Sequence, residues 1–404
     1  RQHRQHDIEN LLVFSLLLPA SLGYPTALGF IYKLAGNNSE MTAKIFNIVL
    51  SMLTLLVVYL ILIKITQSRL IIYGAYTITA LLPNYIAYNN VIGTEVFFTF
   101  LFSVLLLLQV YSFKPWIRYP LWGIFIGAAA LTKPFFMAYP VVAAFMHWLK
   151  TKKLRQTGIL FATLFLIMAL VIAPWTYRNY KKFGRFIPIS YNSGYVLYIN
   201  NNHYNATGAW MDLKEADAPQ HVKDQIDEIL SKKDVKLAHE IEPIIKKQAK
   251  QWIRQNPLEF AKLGVLRLSS TFFDGSWDID AWAMNDEEEI QKEYEKWNKK
   301  EKISYQRNKG FSRGLRDICI YILNSFGIIY ALLCIFPILT AFFKKDRRIG
   351  EILFLPAVPT WFFIAVYFVY EGQSRYAFPL YFLFAIGMMV LVNALIKGLR
   401  TNRE

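Results

Sequence analysis

The chain has 404 residues, of which 54% are hydrophobic, 16% aromatic and only 18% charged, with a formal net charge of +16. Soluble domains carry about a quarter charged residues, so this balance excludes a disordered chain and a single soluble domain. Apolar runs of roughly 20 residues recur, enough helix to cross a hydrocarbon core of about 30 Å, and they mark a polytopic membrane protein with no nucleic-acid partner.

The chain opens on Arg1 rather than Met, and RQHRQHDIEN followed by LLVFSLLLPA imitates a secretory signal. A small-residue cleavage site leading into a soluble protein is missing, so the signal reading fails. Long apolar segments then follow at 45–65, 70–88, 91–111, 158–177, 317–343, 351–370 and 376–396. Between them, 119–132 and 134–149 read as two shorter helices broken at Lys133-Pro134, because proline removes a backbone donor and disturbs the helix before it. Gly123 and Gly127 lie four residues apart, a small-residue face suited to close helix packing. Cys319 and Cys334 share one apolar stretch; as helix they lie about 22 Å apart, too far for a disulfide.

Clusters of Lys and Arg at 64–69, 114–118, 150–155, 344–348 and 397–403 fall at alternate helix ends. Short basic loops stay in the cytoplasm, and placing all of these inside gives one consistent threading. The connections near 36–44, 89–90, 133, 178–316 and 371–375 then face outward. The long segment 178–316 needs structure of its own. Ile226 and Leu230, then Ile241, Ile245, Ala249, Trp252 and Ile253, recur at helical spacing, and Asn256-Pro257 restarts the pattern before Leu258, Phe260 and Leu263. The stretch from Asp286 to Lys302 reads as a solvated helix or loop. The division expected is 1–177 as an N-terminal transmembrane bundle, 178–316 as an extracytoplasmic lobe and 317–404 as C-terminal transmembrane helices.

Phosphate-cradling GxxxxGK[ST], GxGxxG and GxSxG motifs are absent from the sequence. His239-Glu240 begins like a zinc-protease motif, but Pro243 stands where the second histidine belongs. Asp278-Ile279-Asp280 resembles the DxD of nucleotide-sugar enzymes, and the threading places it outside, where nucleotide sugars are scarce. His203 reads as an exposed polar residue rather than a metal ligand, and Asn205-Ala-Thr207 is a frequent pattern that carries no weight here.

The chemistry concentrates in ionisable groups at the outer ends of apolar helices, where such groups are expensive. Glu95 lies about one turn into a helix, where it is either a functional acid or a carboxylate satisfied by the helix's own amides. Lys133 sits at the tip of the broken helix pair, where it either binds an anion or snorkels to headgroups. Arg178 and Asn179 follow Trp175 in APWTYRN; the arginine suits an anion, and the tryptophan also suits the membrane interface. Glu371, Arg375 and Tyr376 occupy EGQSRY, where the guanidinium either binds phosphate bidentately or closes the turn on Glu371. Three cations and a carboxylate on one face suit a lipid phosphate at the outer leaflet.

Five motifs in order, LGYPTALGFIYKLAGNN, PNYIAYNNVIGTEVFFTFL, GIFIGAAALTKPFF, APWTYRNYKKFGRFIPIS and EGQSRYAFPL, resemble the GT-C membrane glycosyltransferases related to protein O-mannosyltransferases (glycosyltransferase family 39-like). The resemblance implies an all-α polytopic membrane protein, with a GT-C type transmembrane helix bundle and an extracytoplasmic, mostly helical lobe. It implies transfer of a hexose-type sugar from a polyprenyl-phosphate donor to an acceptor hydroxyl, usually with inversion, on the outer face of a bacterial cytoplasmic membrane. The partners implied are that lipid-linked sugar, a glycan, lipid or protein acceptor, and membrane lipids. No cofactor is required and no metal ligand is assigned, although a divalent metal is compatible with the family. Lys133, Arg178, Arg375 and Tyr376 are expected at the donor phosphate, Glu95 at a catalytic or acceptor-side position, and Trp175, Asn179 and Glu371 around the cavity. The family's acidic first outer loop normally follows a first membrane helix, and only about 21 residues precede the LGYP motif here. That leaves Asp7 as a weak substitute for the usual base. The competing expectations are a transporter or flippase of lipid-linked saccharides, or a catalytically inactive GT-C-like fragment.

Overall fold

The computed structural model describes residues 21–401 apart from 113, 209, 212–215, 217–218, 233–239, 277, 284–310 and 345–348. Asp7 and the charged stretch 286–302 lie outside the described residues. In chain order the first helices are α1 (Gly23–Ala35), α2 (Glu40–Ile65), α3 (Arg69–Leu81), α4 (Pro83–Ala87), α5 (Thr94–Val110), α6 (Pro115–Thr132), α7 (Tyr139–Thr151) and α8 (Leu154–Phe183). They continue as α9 (Ser193–Ile199), α10 (Gln220–Ser231), α11 (Ile241–Gln255), α12 (Pro257–Phe272), α13 (Phe311–Leu333), α14 (Ile335–Phe343), α15 (Glu351–Val369) and α16 (Tyr381–Thr401). Among the described residues five helical stretches are long and apolar enough to cross a membrane, and up to six if the bent pair α3–α4 counts as one span. The protein is an all-helical, multi-pass membrane protein.

Three expected segments differ in the structure. The run 70–88 is bent by 47° between α3 and the turn that follows, because Leu82, ahead of Pro83, is extended (φ −62°, ψ 121°). The helix expected at 158–177 continues to Phe183 and ends at Gly184, whose φ of 65° supplies the left-handed cap. Its 30 residues span about 45 Å, so its last turns project beyond a bilayer core and carry Trp175, Arg178 and Asn179. The membrane segment expected at 317–343 starts earlier, at Phe311, and is interrupted at Cys334.

Helix α5 is the axis of the bundle. It is apolar around its whole circumference, as a buried helix must be, and Phe98, Phe102, Leu105 and Leu106 are fully buried. Phe136, Tyr139 and Phe363 surround it, with Phe98–Phe136 centroids 4.7 Å apart and edge-on. The glycine face of α6 lies against α8: a Cβ at Gly123 would sit 2.7 Å from Ile167 Cβ, and one at Gly127 2.6 Å from Val171 Cβ. The two cysteines are unpaired.

Three of the basic clusters, those with Lys64, Arg118 and Lys150, gather where α5 ends. Arg118 Nη1 donates to the carbonyl of Tyr111 at 3.2 Å, Lys64 lies over the Tyr111 ring, and Lys150 pairs with Glu351. The opposite end of this 17-residue helix, about 24 Å away, carries Glu95. The lobe has a separate core of Leu197, Tyr198, Ile199, Ala216, Ile241, Ile245 and Ala249, which also packs on Val369 and Tyr370 at the end of α15.

Candidate functional site

Each wall of the site is the end of a helix. α5 begins at Gly93-Thr94, and Glu95 in its first turn folds back over the helix start, taking a hydrogen bond from its own backbone N–H. Gly93 makes room for this, since a Cβ there would lie 2.7 Å from Glu95 Oε2. Lys133 caps α6 in an extended conformation (φ −131°, ψ 101°) forced by Pro134. That kink aims its ammonium at Glu95, with Nζ to Oε1 3.3 Å and the carboxylate almost wholly buried. Lys133 is thus ion-paired with Glu95 rather than turned toward headgroups.

The turn 371–375 is built from its own side chains. Arg375 Nε donates to Gln373 Oε1 at 2.7 Å, Gln373 Nε2 donates to Glu371 Oε1 at 2.5 Å, and the Tyr376 hydroxyl donates to Glu371 Oε2 at 2.7 Å. The guanidinium is thus coupled to Glu371 through Gln373. Its charge neighbours include Glu95 and Glu371. Lys133 Nζ also lies 5.8 Å from the Tyr376 ring centroid.

These residues line one cavity of about 530 Å³, which contains Glu95, Lys133, Glu371, Arg375 and Tyr376 together with Tyr367 and Tyr370, within the usual size for a small-ligand site. Phe98, Phe135 and Val366 add an apolar side, and the lobe adds Ser190, Asn192, Ser193 and Val196. Five of the nine residues picked from sequence therefore meet in space. Arg178, Trp175 and Asn179 are not among the lining residues. The Arg178 guanidinium lies 4.4 Å from the Trp175 ring centroid and donates to Asn179 Oδ1 at 3.0 Å, so the structure does not gather it with the other two cations. Their helix continues where a loop was expected, and this points them along α8 instead. Trp175 Nε1 donates to the Ile189 carbonyl at 2.9 Å, while Asn179 Nδ2 reaches the carbonyls of Ile187 (3.1 Å) and Ile189 (3.2 Å). They hold the strand of backbone that leads into the lobe wall.

Several residues that shape the site were not picked from the sequence. Arg267 on α12 is fully buried and binds the Phe368 carbonyl (Nε, 2.8 Å), the Asn200 carbonyl (Nη1, 2.7 Å) and Asn201 Oδ1 (Nη2, 3.1 Å). Burial pulls its pKa down to about 10. A side chain at Gly372 would fall on the Arg267 carbonyl, so α12 seats the Arg375 turn directly. An arginine inside the apolar run VLRLSSTFF was the available signal. Glu242 on α11 accepts from the backbone N–H groups of Gly194 and, at 2.9 Å, Tyr195; burial outweighs these bonds and raises its pKa.

Asp278 of the DxD pattern is 1% exposed. One carboxylate oxygen accepts from the Tyr88 hydroxyl, and the other has no hydrogen-bond partner among the described residues. Burial, the largest influence, raises its pKa to about 6, with Arg375 opposing and Glu95 adding to the rise. Asp280 instead pairs with Arg313 and Arg316 at the start of α13. The two acids point at different partners, so the pattern does not act as a metal-nucleotide clamp. Among the described residues no three His, Cys, Asp or Glu side chains come together as a metal site, and no step is assigned to a metal. His203 meets Glu259 at 3.3 Å on the surface, and Asn205 is buried, donating to the Ile199 carbonyl.

The family described as dolichyl-phosphate-mannose-protein mannosyltransferase matches residues 16–186. The chain is similar to GT-C glycosyltransferases over that region, as its motifs lead one to expect, and this supports a membrane glycosyltransferase. No curated protein matches. Among solved structures, the Archaeoglobus fulgidus oligosaccharyltransferase, tethered through a disulfide bond to an acceptor peptide containing the NVT sequon, is 14% identical with a TM-score of 0.49. The match covers 95% of this chain and 42% of that one, so the chain spans less than half the length of that protein.

Proposed function

We propose that the protein moves a hexose-type sugar from a polyprenyl phosphate to an acceptor hydroxyl at the outer face of a bacterial cytoplasmic membrane. The observation that carries this reading is the convergence of Lys133 and Arg375, from segments more than 200 residues apart, in one cavity at the mouth of an apolar helix bundle. Two fixed cations on a single site suit the phosphate of a lipid donor, with Arg375 offering bidentate geometry. The family match over residues 16–186 gives independent support.

Lys133 is held by Glu95. A donor phosphate competes for that ammonium and leaves the Glu95 carboxylate able to take a proton. The acceptor oxygen then bonds to the anomeric carbon as the carbon–oxygen bond to phosphate breaks. The bonding electrons leave with the polyprenyl phosphate, and the hydroxyl proton goes to Glu95. Lys133 and Arg375 stabilise the charge that develops on the departing phosphate, which is where preorganised cations contribute most. Asp7, the other acid named from the sequence, lies outside the described residues and has no part in this scheme.

The test is turnover in proteoliposomes with radiolabelled polyprenyl-phosphate hexose and native membrane extract as the source of acceptor. Lys133→Ala and Arg375→Ala should each lower the rate by roughly 100-fold or more, the typical effect of losing one transition-state donor, in protein that still unfolds cooperatively, with a lower melting temperature for Lys133→Ala because buried Glu95 loses its partner. Wild-type rates in both variants would refute the phosphate assignment. Lipid moved across the bilayer with its sugar intact would favour a flippase.

A further inference from the structure

Resting on that proposed function, we infer that Ser190, Asn192 and Ser193 form the sugar-reading wall of the cavity and select an uncharged, hydroxyl-rich hexose. The cavity has two chemically distinct sides. Lys133, Arg375, Glu95 and Glu371 stand on the helix ends of the bundle, whereas the lobe contributes two hydroxyls, an amide and Val196. A lipid phosphate seated on the cations sends its alkyl chain toward the bundle and its sugar the other way, against the lobe.

This wall is held at both ends. Before it, the carbonyls of Ile187, Pro188 and Ile189 are fixed by Asn179, by Thr176 (2.9 Å to Pro188) and by Trp175. After it, Glu242 binds the N–H groups of Gly194 and Tyr195, and Lys246 Nζ donates to Ser193 Oγ at 2.9 Å. So firm a mounting is what recognition by short polar side chains needs, since misplacement by about 1 Å loses the hydrogen bonds. Asn192 is exposed and shares its Oδ1 with Ser190 Oγ at 3.2 Å, which leaves its amide N–H groups for a sugar oxygen. Behind the wall, the Lys246 ammonium is taken up by Ser193 Oγ and has Glu242 as a charge neighbour. A uronic acid or amino sugar would bring a charge to a wall whose own side chains, Ser190, Asn192 and Ser193, carry none, and an unpaired charge in a cavity is strongly disfavoured.

Equilibrium binding in mild detergent separates this inference from the function it rests on. The probes are sugar-free polyprenyl phosphate, polyprenyl-phosphate hexose and polyprenyl-phosphate hexuronate, measured against wild type, Asn192→Ala and Ser190→Ala. Wild type should bind the hexose lipid roughly tenfold more tightly than the bare phosphate, the worth of one or two net hydrogen bonds, and more tightly than the hexuronate lipid. Asn192→Ala should lose most of that increment, and Ser190→Ala part of it, with bare-phosphate affinity kept within about twofold, which also shows that the variants are folded. Equal wild-type affinity for hexose and bare lipid overturns the inference while the phosphate reading stands. Equal affinity for hexose and hexuronate overturns it as well, as do variants that weaken all three lipids alike. If no lipid binds wild type, the proposed function falls and takes this inference with it.

Discussion

Asp278 offers the sharpest quantitative test. Its carboxyl is buried against the bundle, with the Tyr88 hydroxyl on one oxygen and no partner for the other among the described residues. Its pKa rises from 3.8 to about 6, worth about 3 kcal/mol between the two protonation states. The sign follows from proton counting. Between these values the folded protein binds more protons here than the unfolded chain, so stability falls as pH rises. The contribution is complete below about pH 4 and lost once pH passes about 6. Asp278→Asn keeps an oxygen for Tyr88 and cannot ionise. Its amide nitrogen replaces the unpartnered oxygen at a pH-independent cost of about 1–3 kcal/mol. The assay is thermal unfolding in detergent at about pH 4, 6 and 8. Relative to wild type, the variant should gain up to about 3 kcal/mol from the lowest to the highest pH, a shift of a few degrees in melting temperature. A difference between the two proteins that does not change with pH would refute the reasoning.

Other expectations follow from packing and buried charge. Gly127→Leu should destabilise the bundle by about 1–3 kcal/mol or more, because Val171 already occupies the space a Cβ would need; Gly158→Ala on the same pair of helices meets nothing within 4 Å and should be neutral or stabilising by up to about 1 kcal/mol. Equal melting temperatures for the two would show that the α6–α8 contact is looser than described. Arg267→Ala strips the hydrogen bonds from Asn200, Asn201 and Phe368 and should cost about 3 kcal/mol or more, with faster proteolysis within the lobe; an unchanged cleavage pattern would argue against α12 as its anchor. Glu242→Gln keeps one acceptor oxygen and sets an NH2 donor against the other α9 N–H, so one of the two bonds to Gly194 and Tyr195 is lost, and KM for the donor should rise several-fold with little change in kcat. A pure kcat effect would point away from a wall held by Glu242.

The membrane-spanning character was legible in the sequence, since apolar run length responds to the bilayer and not to the details of packing. Gly123 and Gly127 announced their contact with α8 in the same way, by residue size alone. The lobe helices α11 and α12 were readable because their apolar positions recur at helical spacing and Pro257 punctuates them. Where local rules were overruled, the fault was in helix continuation. The sequence around Pro174 looks like an exit from the membrane, yet α8 runs on to Phe183 and carries Arg178 onto Trp175.

Residue chemistry by itself named Glu95, Lys133, Glu371, Arg375 and Tyr376, because ionisable groups at helix ends in apolar surroundings are too costly to be incidental. Only the tertiary structure decided that they share one cavity, that Lys133 and Glu95 pair within it, and that Arg178 stands elsewhere. It also supplied what no motif shows: Arg267 under the turn, Asp278 behind Tyr88, and a lobe wall of serine and asparagine. The physical reason is range. Hydrophobic length and local propensity act within a segment and survive in the sequence, whereas ion pairing and burial depend on which distant segments the closed bundle presses together.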